Sequence, residues 1–392
     1  MLDESLLDDP DALARADADG LLRDAAQSGA RVRTAVRQAH EAGLADLRPD
    51  GRPRSVLVAG PGPVTACVAE LLDALGNGTV TVNRLHPTGD LPAPGALRWA
   101  LPGWAGPLDL LLLTSPSGDE PGLTALTDQA YRRGCTVVGV VPPRTPVAEA
   151  VTETHGLAVP LAPGPSAGSL DVDAITGAGN PPGMAARTAP GTLWALLTPL
   201  LALTDRLGLL PAPWAALDAL ADRLDEVAAR CGPAVETFGN PAKTLATELA
   251  GALPLLWSEG PVAGAAARHS ATVLAAQAGR PALVAALPEA IEVHGRLLAD
   301  AFTPGGPAED DFFRDRVESQ EPLHTRVVLL REHAPGADSA VVAARDLAYT
   351  RGTPLSELEP GEGSDPLQAA AELIATLDFA AVYLTLALGD AS

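Results

Sequence analysis

Cysteine is scarce. The three present, Cys67, Cys135 and Cys231, are odd in number, far apart and without CxxC or Cys/His spacing, so neither a disulfide framework nor a zinc site organises the chain, and a reducing compartment fits. Lysine is scarcer still: Lys243 is the only one, the other basic residues being arginine. Aromatic residues make up 3%, which leaves Ala, Leu and Val to fill the core and favours helices layered on sheets over an aromatic-rich barrel. Positive charge is outnumbered, 27 basic against 49 acidic side chains for a net charge of -22. Such a surface repels phosphodiester backbones and anionic lipid, which argues against nucleic acid and membrane partners. The start, Met1-Leu2-Asp3-Glu4-Ser5, is acidic where a leader needs basic residues and an apolar run, and stretches such as residues 108 to 113 fall short of the ~20 that span a bilayer. The expectation is a cytoplasmic protein.

What is present is an alternating rhythm. With 392 residues, 47% of them hydrophobic, the chain is long enough for two domains. Residues 10 to 45 carry helical spacing and predict one or two amphipathic helices, an N-terminal arm over 1–53 closed by the turn cluster Arg48-Pro49-Asp50-Gly51-Arg52-Pro53. Short apolar runs then alternate with helical stretches: strands at Ser55 to Ala59, Thr79 to Val82, Leu108 to Leu113, Cys135 to Val141 and Leu157 to Leu161. That is the signature of βαβ units and a parallel sheet, and it gives a first doubly wound domain over 54–163. Residues 164–235 hold a Gly/Pro/Ala/Ser-rich linker and connecting helices at about 192 to 208 and 212 to 230. A second series, with strands at Leu253 to Trp257, Leu283 to Leu287 and Arg326 to Leu330 and a C-terminal helix near 366 to 388, gives a second domain over 236–392. Within it, Thr303 to Pro322 reads as an acidic loop.

Ligands of open parallel sheets bind outside the carboxyl ends of the strands. Four places there or nearby carry chemistry. Gly60-Pro61-Gly62-Pro63 turns a strand into a helix and brings backbone close to an anion, or is simply a tight βα turn, since Thr65 stands where a dinucleotide fingerprint needs its third glycine. Ser115, Ser117 and Gly118 follow the most apolar strand with hydroxyls and N–H groups suited to a phosphate, or serve as ordinary helix caps. Arg187 suits an oxyanion or phosphate, and on its own is equally a solvated surface arginine. Glu259 ends a strand of the second domain where proton transfer is done, with His269 and His294 downstream as acid/base groups.

Taken in order, these places resemble the bifunctional phosphoglucose/phosphomannose isomerases of the sugar isomerase (SIS) superfamily over about residues 50 to 390. Asn240-Pro241-Ala242-Lys243-Thr244-Leu245-Ala246 is similar to that family's N-P-A-K-x-L-A. Pro181-Pro182 with Arg187-Thr188-Ala189-Pro190-Gly191-Thr192-Leu193 is similar to its P-R-A-A-x-G-x-L segment. Asp378-Phe379-Ala380-Ala381-Val382-Tyr383-Leu384 is similar to the start of its C-terminal D-x-x-S-Y-Y-L helix.

The resemblance implies an α/β fold of two SIS domains, flavodoxin-like and doubly wound, in a homodimer that takes a small-molecule sugar phosphate and needs no metal or organic cofactor. It implies aldose–ketose isomerisation of glucose 6-phosphate or mannose 6-phosphate: ring opening, then a carboxylate moving a proton between C1 and C2 through an enediol. Carried onto this sequence, the active-site arginine is Arg187 and the ring-opening histidine His294, while the base would be a relocated carboxylate such as Glu259 or Glu292. The phosphate is held by Gly60, Gly62, Ser115, Ser117 and Gly118, and Lys243 and Glu292 complete the pocket.

Four departures qualify the implied activity. The family's first loop, G-x-G-G-S, stands as Gly60-Pro61-Gly62-Pro63-Val64. Its phosphate loop, S-x-S-G-N-T-E, stands as Ser115-Pro116-Ser117-Gly118-Asp119-Glu120-Pro121, with Glu120 in place of threonine. A carboxylate ~4 Å from a phosphate costs on the order of kilocalories per mole. The helix that bears the family's base runs Arg268 to Ala278 without a carboxylate, and His294 lies two residues late. The alternatives are therefore an isomerase with a relocated base, a non-catalytic sugar-phosphate-binding or regulatory SIS protein, and a scaffolding dimer without ligand.

Overall fold

The computed structural model describes residues 4–49, 51–89, 94–162, 190–298, 324–336 and 339–389. In chain order the helices and strands are α1 (Glu4–Leu7), α2 (Pro10–Ala16), α3 (Leu21–Ala26), α4 (Ser28–Glu41), β1 (Ser55–Ala59), α5 (Gly62–Gly76), β2 (Thr81–Arg84), β3 (Asp109–Thr114), α6 (Pro121–Arg132), β4 (Thr136–Val141), α7 (Pro146–Glu153), β5 (Leu157–Pro160), α8 (Thr192–Arg206) and α9 (Trp214–Cys231). They continue with α10 (Pro241–Leu249), β6 (Ala252–Glu259), α11 (Pro261–Ala278), β7 (Leu283–Ala286), α12 (Glu289–His294), β8 (His324–Arg331), α13 (Val341–Thr350), β9 (Leu355–Leu358) and α14 (Pro366–Leu388). The chain divides into two compact units, Asp17–Ala229 and Met1–Ala16 with Arg230–Ser392. The first is called the N-terminal unit below, the second the C-terminal unit.

Each unit is built on one parallel sheet. In the N-terminal unit the order is β2-β1-β3-β4-β5, with β1 and β3 in register from Ser55↔Asp109 to Ala59↔Leu113. Strand β3 is buried along its whole length, as a central parallel strand covered on both faces must be, which is why it reads Leu110-Leu111-Leu112-Leu113 without polar alternation. In the C-terminal unit the order is β7-β6-β8-β9, with Ala252↔His324 to Glu259↔Arg331 pairing β6 with β8. Both sheets are the doubly wound architecture the sequence predicts.

The differences are local. The expected strand from Thr79 begins two residues later, because the Thr79 amide closes a turn onto Gly76 and the ladder starts at Thr81 opposite Ser55. Strand β9 has no counterpart in the sequence reading: Leu355-Ser356-Glu357-Leu358 is a half-buried edge whose Ser356 and Glu357 bond Arg326 and Arg331. The predicted arm is four helices. The first two cluster with the C-terminal unit, where Asp8 accepts hydrogen bonds from the Thr237 amide and hydroxyl, both at 2.8 Å.

Helix α14 is long and apolar enough to cross a bilayer by composition, and 83% of its most apolar window is buried inside the protein. It is the core helix of the C-terminal unit, packed on α10 and α11. A capping box of Asp365 and Gln368 starts it, with Pro366 in the first turn, satisfying amides that a helix N-terminus leaves open.

The only lysine ties this core together. Asn240 caps α10 by accepting from the Ala242 and Lys243 amides. Lys243 is fully buried, and its Nζ donates to the carbonyls of Pro233 and Val235 at 2.8 and 2.7 Å and lies 5.5 Å from the centre of the Tyr383 ring. The Tyr383 hydroxyl in turn donates to the Cys231 carbonyl at 2.6 Å. Thus Asn240, Lys243 and Tyr383 together satisfy the backbone of 231–235. Replacing Lys243 with Met leaves two buried carbonyls unpaired, and we expect the variant to lose about 2–4 kcal/mol of stability. Urea denaturation of the full chain checks this; an unchanged midpoint would show that the ammonium does not hold the segment.

Candidate functional site

A doubly wound sheet opens a crevice where strand order reverses, because right-handed crossovers send the helices following the two adjacent strands to opposite faces. In the N-terminal unit that point lies between β1 and β3, whose carboxyl ends lead into Gly60-Pro61-Gly62 and Ser115-Pro116-Ser117-Gly118. All five residues predicted to hold phosphate therefore flank one crevice. Its floor is rigid. A Cβ on Gly60 would lie 2.0 Å from the Thr114 carbonyl oxygen, so only glycine lets the two strand ends approach, and Thr65 and Thr114 share a hydroxyl hydrogen bond of 2.9 Å beneath it.

The second loop already holds an anion. Ser115 Oγ and Ser117 Oγ each donate to the Glu120 carboxylate, to Oε2 and Oε1 respectively, both at 2.7 Å. The Ser115 hydroxyl also accepts the Ser117 and Gly118 amides at 3.2 and 2.7 Å. Ser115 is fully buried and Glu120 is 4% exposed. The sequence shows a carboxylate near these serines; in the structure it lies against both of their hydroxyls.

The reversal in the C-terminal unit falls between β6 and β8, and carboxylates fill it too. Glu332, one residue past β8, accepts the Val262 and Ala263 amides at 2.7 and 3.0 Å, at the N-terminus of α11. It lies over Gly260, at φ 100°, where a Cβ would meet Glu332 Cδ at 2.2 Å. Glu259, at the end of β6, accepts the Ser339 hydroxyl at 2.7 Å and the Ala340 amide at 3.2 Å, which starts α13. The two carboxylates cap each other's helices crosswise. Glu332 and Ser339 are absent from the sequence reading, although Glu332 follows a predicted strand by the rule that singled out Glu259.

The remaining predicted residues are dispersed. Lys243 belongs to the core knot, and Glu292 is exposed on α12. Arg187 lies outside the described residues. His269 pairs with Asp378 at 2.9 Å between α11 and α14. His294 is buried, and its Nδ1 accepts the Trp257 indole N–H at 2.9 Å. An indole only donates, so the imidazole is the neutral form with its proton on Nε2. Among the described residues no cluster of three or more His, Cys, Asp or Glu is arranged to hold a metal. A cavity of about 390 Å³, lined by Asp109, Thr136, His155, Leu203 and Leu207 among others, opens at the amino ends of β3 and β4, the sheet edge away from the crevice.

Two sheets of this order, each with its reversal point between the first and third strands of its series, define two flavodoxin-like, doubly wound domains. Residues 238–390 match the family model of the bacterial phospho-glucose isomerase C-terminal SIS domain. No curated protein matches the chain in sequence. Among solved structures, a candidate phosphosugar isomerase from Silicibacter pomeroyi DSS-3 is 16% identical, with 92% of this chain and 95% of that chain covered and a TM-score of 0.55. The C-terminal domain of glucosamine-fructose-6-phosphate aminotransferase from Francisella tularensis is 11% identical, over 94% and 96%, with a TM-score of 0.56. A hypothetical protein from Thermus thermophilus is 15% identical, over 100% and 94%, with a TM-score of 0.59. These likenesses show the fold.

Burial pushes the His294 imidazole below its ordinary 6.5. The unfolded chain therefore binds a proton below that pH which the folded one refuses, so this residue's contribution to stability falls as pH drops from 6.5 toward the folded value. The expected slope is up to about 1.4 kcal/mol per pH unit for the single proton. Denaturation midpoints between pH 7 and 5 should decline more steeply for the natural protein than for His294→Gln; parallel declines would show that this ring takes its proton in the folded state as readily as in the unfolded one.

Proposed function

We propose that this protein is a phosphosugar isomerase-like SIS protein that binds a hexose phosphate at the β1/β3 crevice of its first domain, and that binding has outlasted the isomerase step. The observation that carries the binding reading is the convergence of the Ser115 and Ser117 hydroxyls on a single anion at the carboxyl end of the central strand. Hydroxyls paired in this way, beside a helix N-terminus, are what a phosphate monoester requires.

Two observations favour binding over turnover. The helix α11 offers no carboxylate where the resemblance places the base, and Glu259 is engaged in capping α13. Both bonds fall on Oε1 and hold the carboxylate toward the start of α13. Removing a general base typically lowers a rate by about 10²–10⁴-fold. An isomerase reading would need Glu259 or Glu292 to act as base, with Arg187 steadying the enediolate and His294 assisting ring opening. A homodimer and residence in the cytoplasm belong to the same proposal.

One experiment separates the readings. Purified protein is incubated in D₂O with glucose 6-phosphate, fructose 6-phosphate or mannose 6-phosphate, followed by NMR and by thermal melting, with Arg187→Ala as the control for contaminating isomerase. The expected result is a rise in melting temperature with no deuterium at C2 above the control. Exchange at C2 that vanishes in Arg187→Ala would replace this reading with an active isomerase. Neither exchange nor stabilisation would leave a scaffold.

A further inference from the structure

We propose that Glu120 is the specificity-determining residue of the crevice: its carboxylate occupies the phosphate seat from within, so that a phosphate enters only by displacing it. This rests on the sugar-phosphate reading of the site and adds to it the element that governs entry.

The geometry of Glu120 is unusual for its position. It is the N-cap of α6, yet its side chain accepts no amide of that helix. It turns back instead and takes both serine hydroxyls, one on each carboxylate oxygen. Its oxygens thus stand where two oxygens of a bound phosphate would stand. The remaining donors of the loop are also engaged, since the Ser117 and Gly118 amides point at Ser115 Oγ. A phosphate arriving at this loop finds both serine hydroxyls taken and a negative charge already present.

The same contact is weakly secured. Glu120 is nearly buried, and among the described residues no ion pair includes it; the two hydrogen bonds to its oxygens come from neutral hydroxyls. A carboxylate withdrawn from water without a cation is poorly compensated. By contrast, the carboxylates of Glu259 and Glu332 both accept backbone amides at helix starts. A side chain on the rim of a helix start, held by two hydroxyls, is removed by rotation about its own bonds, with no change in the loop that would receive the ligand.

The test is isothermal titration calorimetry on the full chain, as natural protein, Glu120→Thr and Glu120→Gln, with glucose 6-phosphate, inorganic phosphate and glucose as probes. Glu120→Thr empties the seat and should bind glucose 6-phosphate about tenfold tighter or more, because it removes the like charge. Glu120→Gln keeps the bulk but not the charge and should gain less, with glucose unchanged in both. If Glu120→Thr fails to fold, Glu120→Gln decides alone. Affinities for glucose 6-phosphate and inorganic phosphate no tighter than the natural protein's in the folded variants would overturn the assignment, even if the natural protein binds the sugar phosphate well. A gain confined to inorganic phosphate would sustain Glu120 as the occupant and overturn the sugar reading instead.

Discussion

A parallel sheet gathers the N-termini of its helices along one edge, and each brings unsatisfied amides and the positive end of a helix dipole. That concentration of positive potential must be answered by something negative, and the answer distinguishes an open anion site from a closed one. In this protein the chain supplies the anions itself. Glu332 and Glu259 answer the helices that follow β6 and β8, and Glu120 sits in the serine loop that follows β3. Both reversal points of the two sheets are governed by this one constraint. It explains why three carboxylates stand at or just past the carboxyl ends of central strands.

The two domains meet the constraint differently. In the C-terminal unit the carboxylates bond backbone amides, exchanging helices crosswise, and Gly260 carries no Cβ so that Glu332 can lie flat above it. Such an arrangement is part of the fold. In the N-terminal unit the carboxylate meets side-chain hydroxyls alone, over a floor fixed by Gly60 and the paired threonines. The first closes on backbone and the second on side-chain hydroxyls.

The fold was legible because its determinants are local. An unbroken apolar run such as Leu110 to Leu113, bounded by turn residues, suits a strand covered on both faces, and the alternation of such runs with helical stretches points to a parallel sheet. Strand β9 was not legible, since Leu355-Ser356-Glu357-Leu358 lacks β-branched residues and is held by ion pairs from residues distant in sequence. The site was legible in part. The rule of strand ends located Ser115, Ser117, Gly60 and Glu259, but nothing in the order of residues tells whether a carboxylate faces solvent, caps a helix or turns back on a neighbour. The motifs that carry the family resemblance most strongly, Asn240 to Ala246 and the helix with Asp378 and Tyr383, prove to be scaffolding: their polar groups bond one another and buried backbone. They identify the fold for that reason and say little about chemistry.

The knot around Lys243 has a further consequence. A surface rich in carboxylates and arginines carries no side-chain amine at all, because the sole ε-ammonium is enclosed between two carbonyls and a tyrosine ring. Reagents and enzymes that acylate, cross-link or conjugate lysine find the Lys243 amine closed off on the folded molecule. Reaction at Lys243 would therefore report the opening of the C-terminal core, which makes the acylation rate of this one residue a built-in clock for local unfolding.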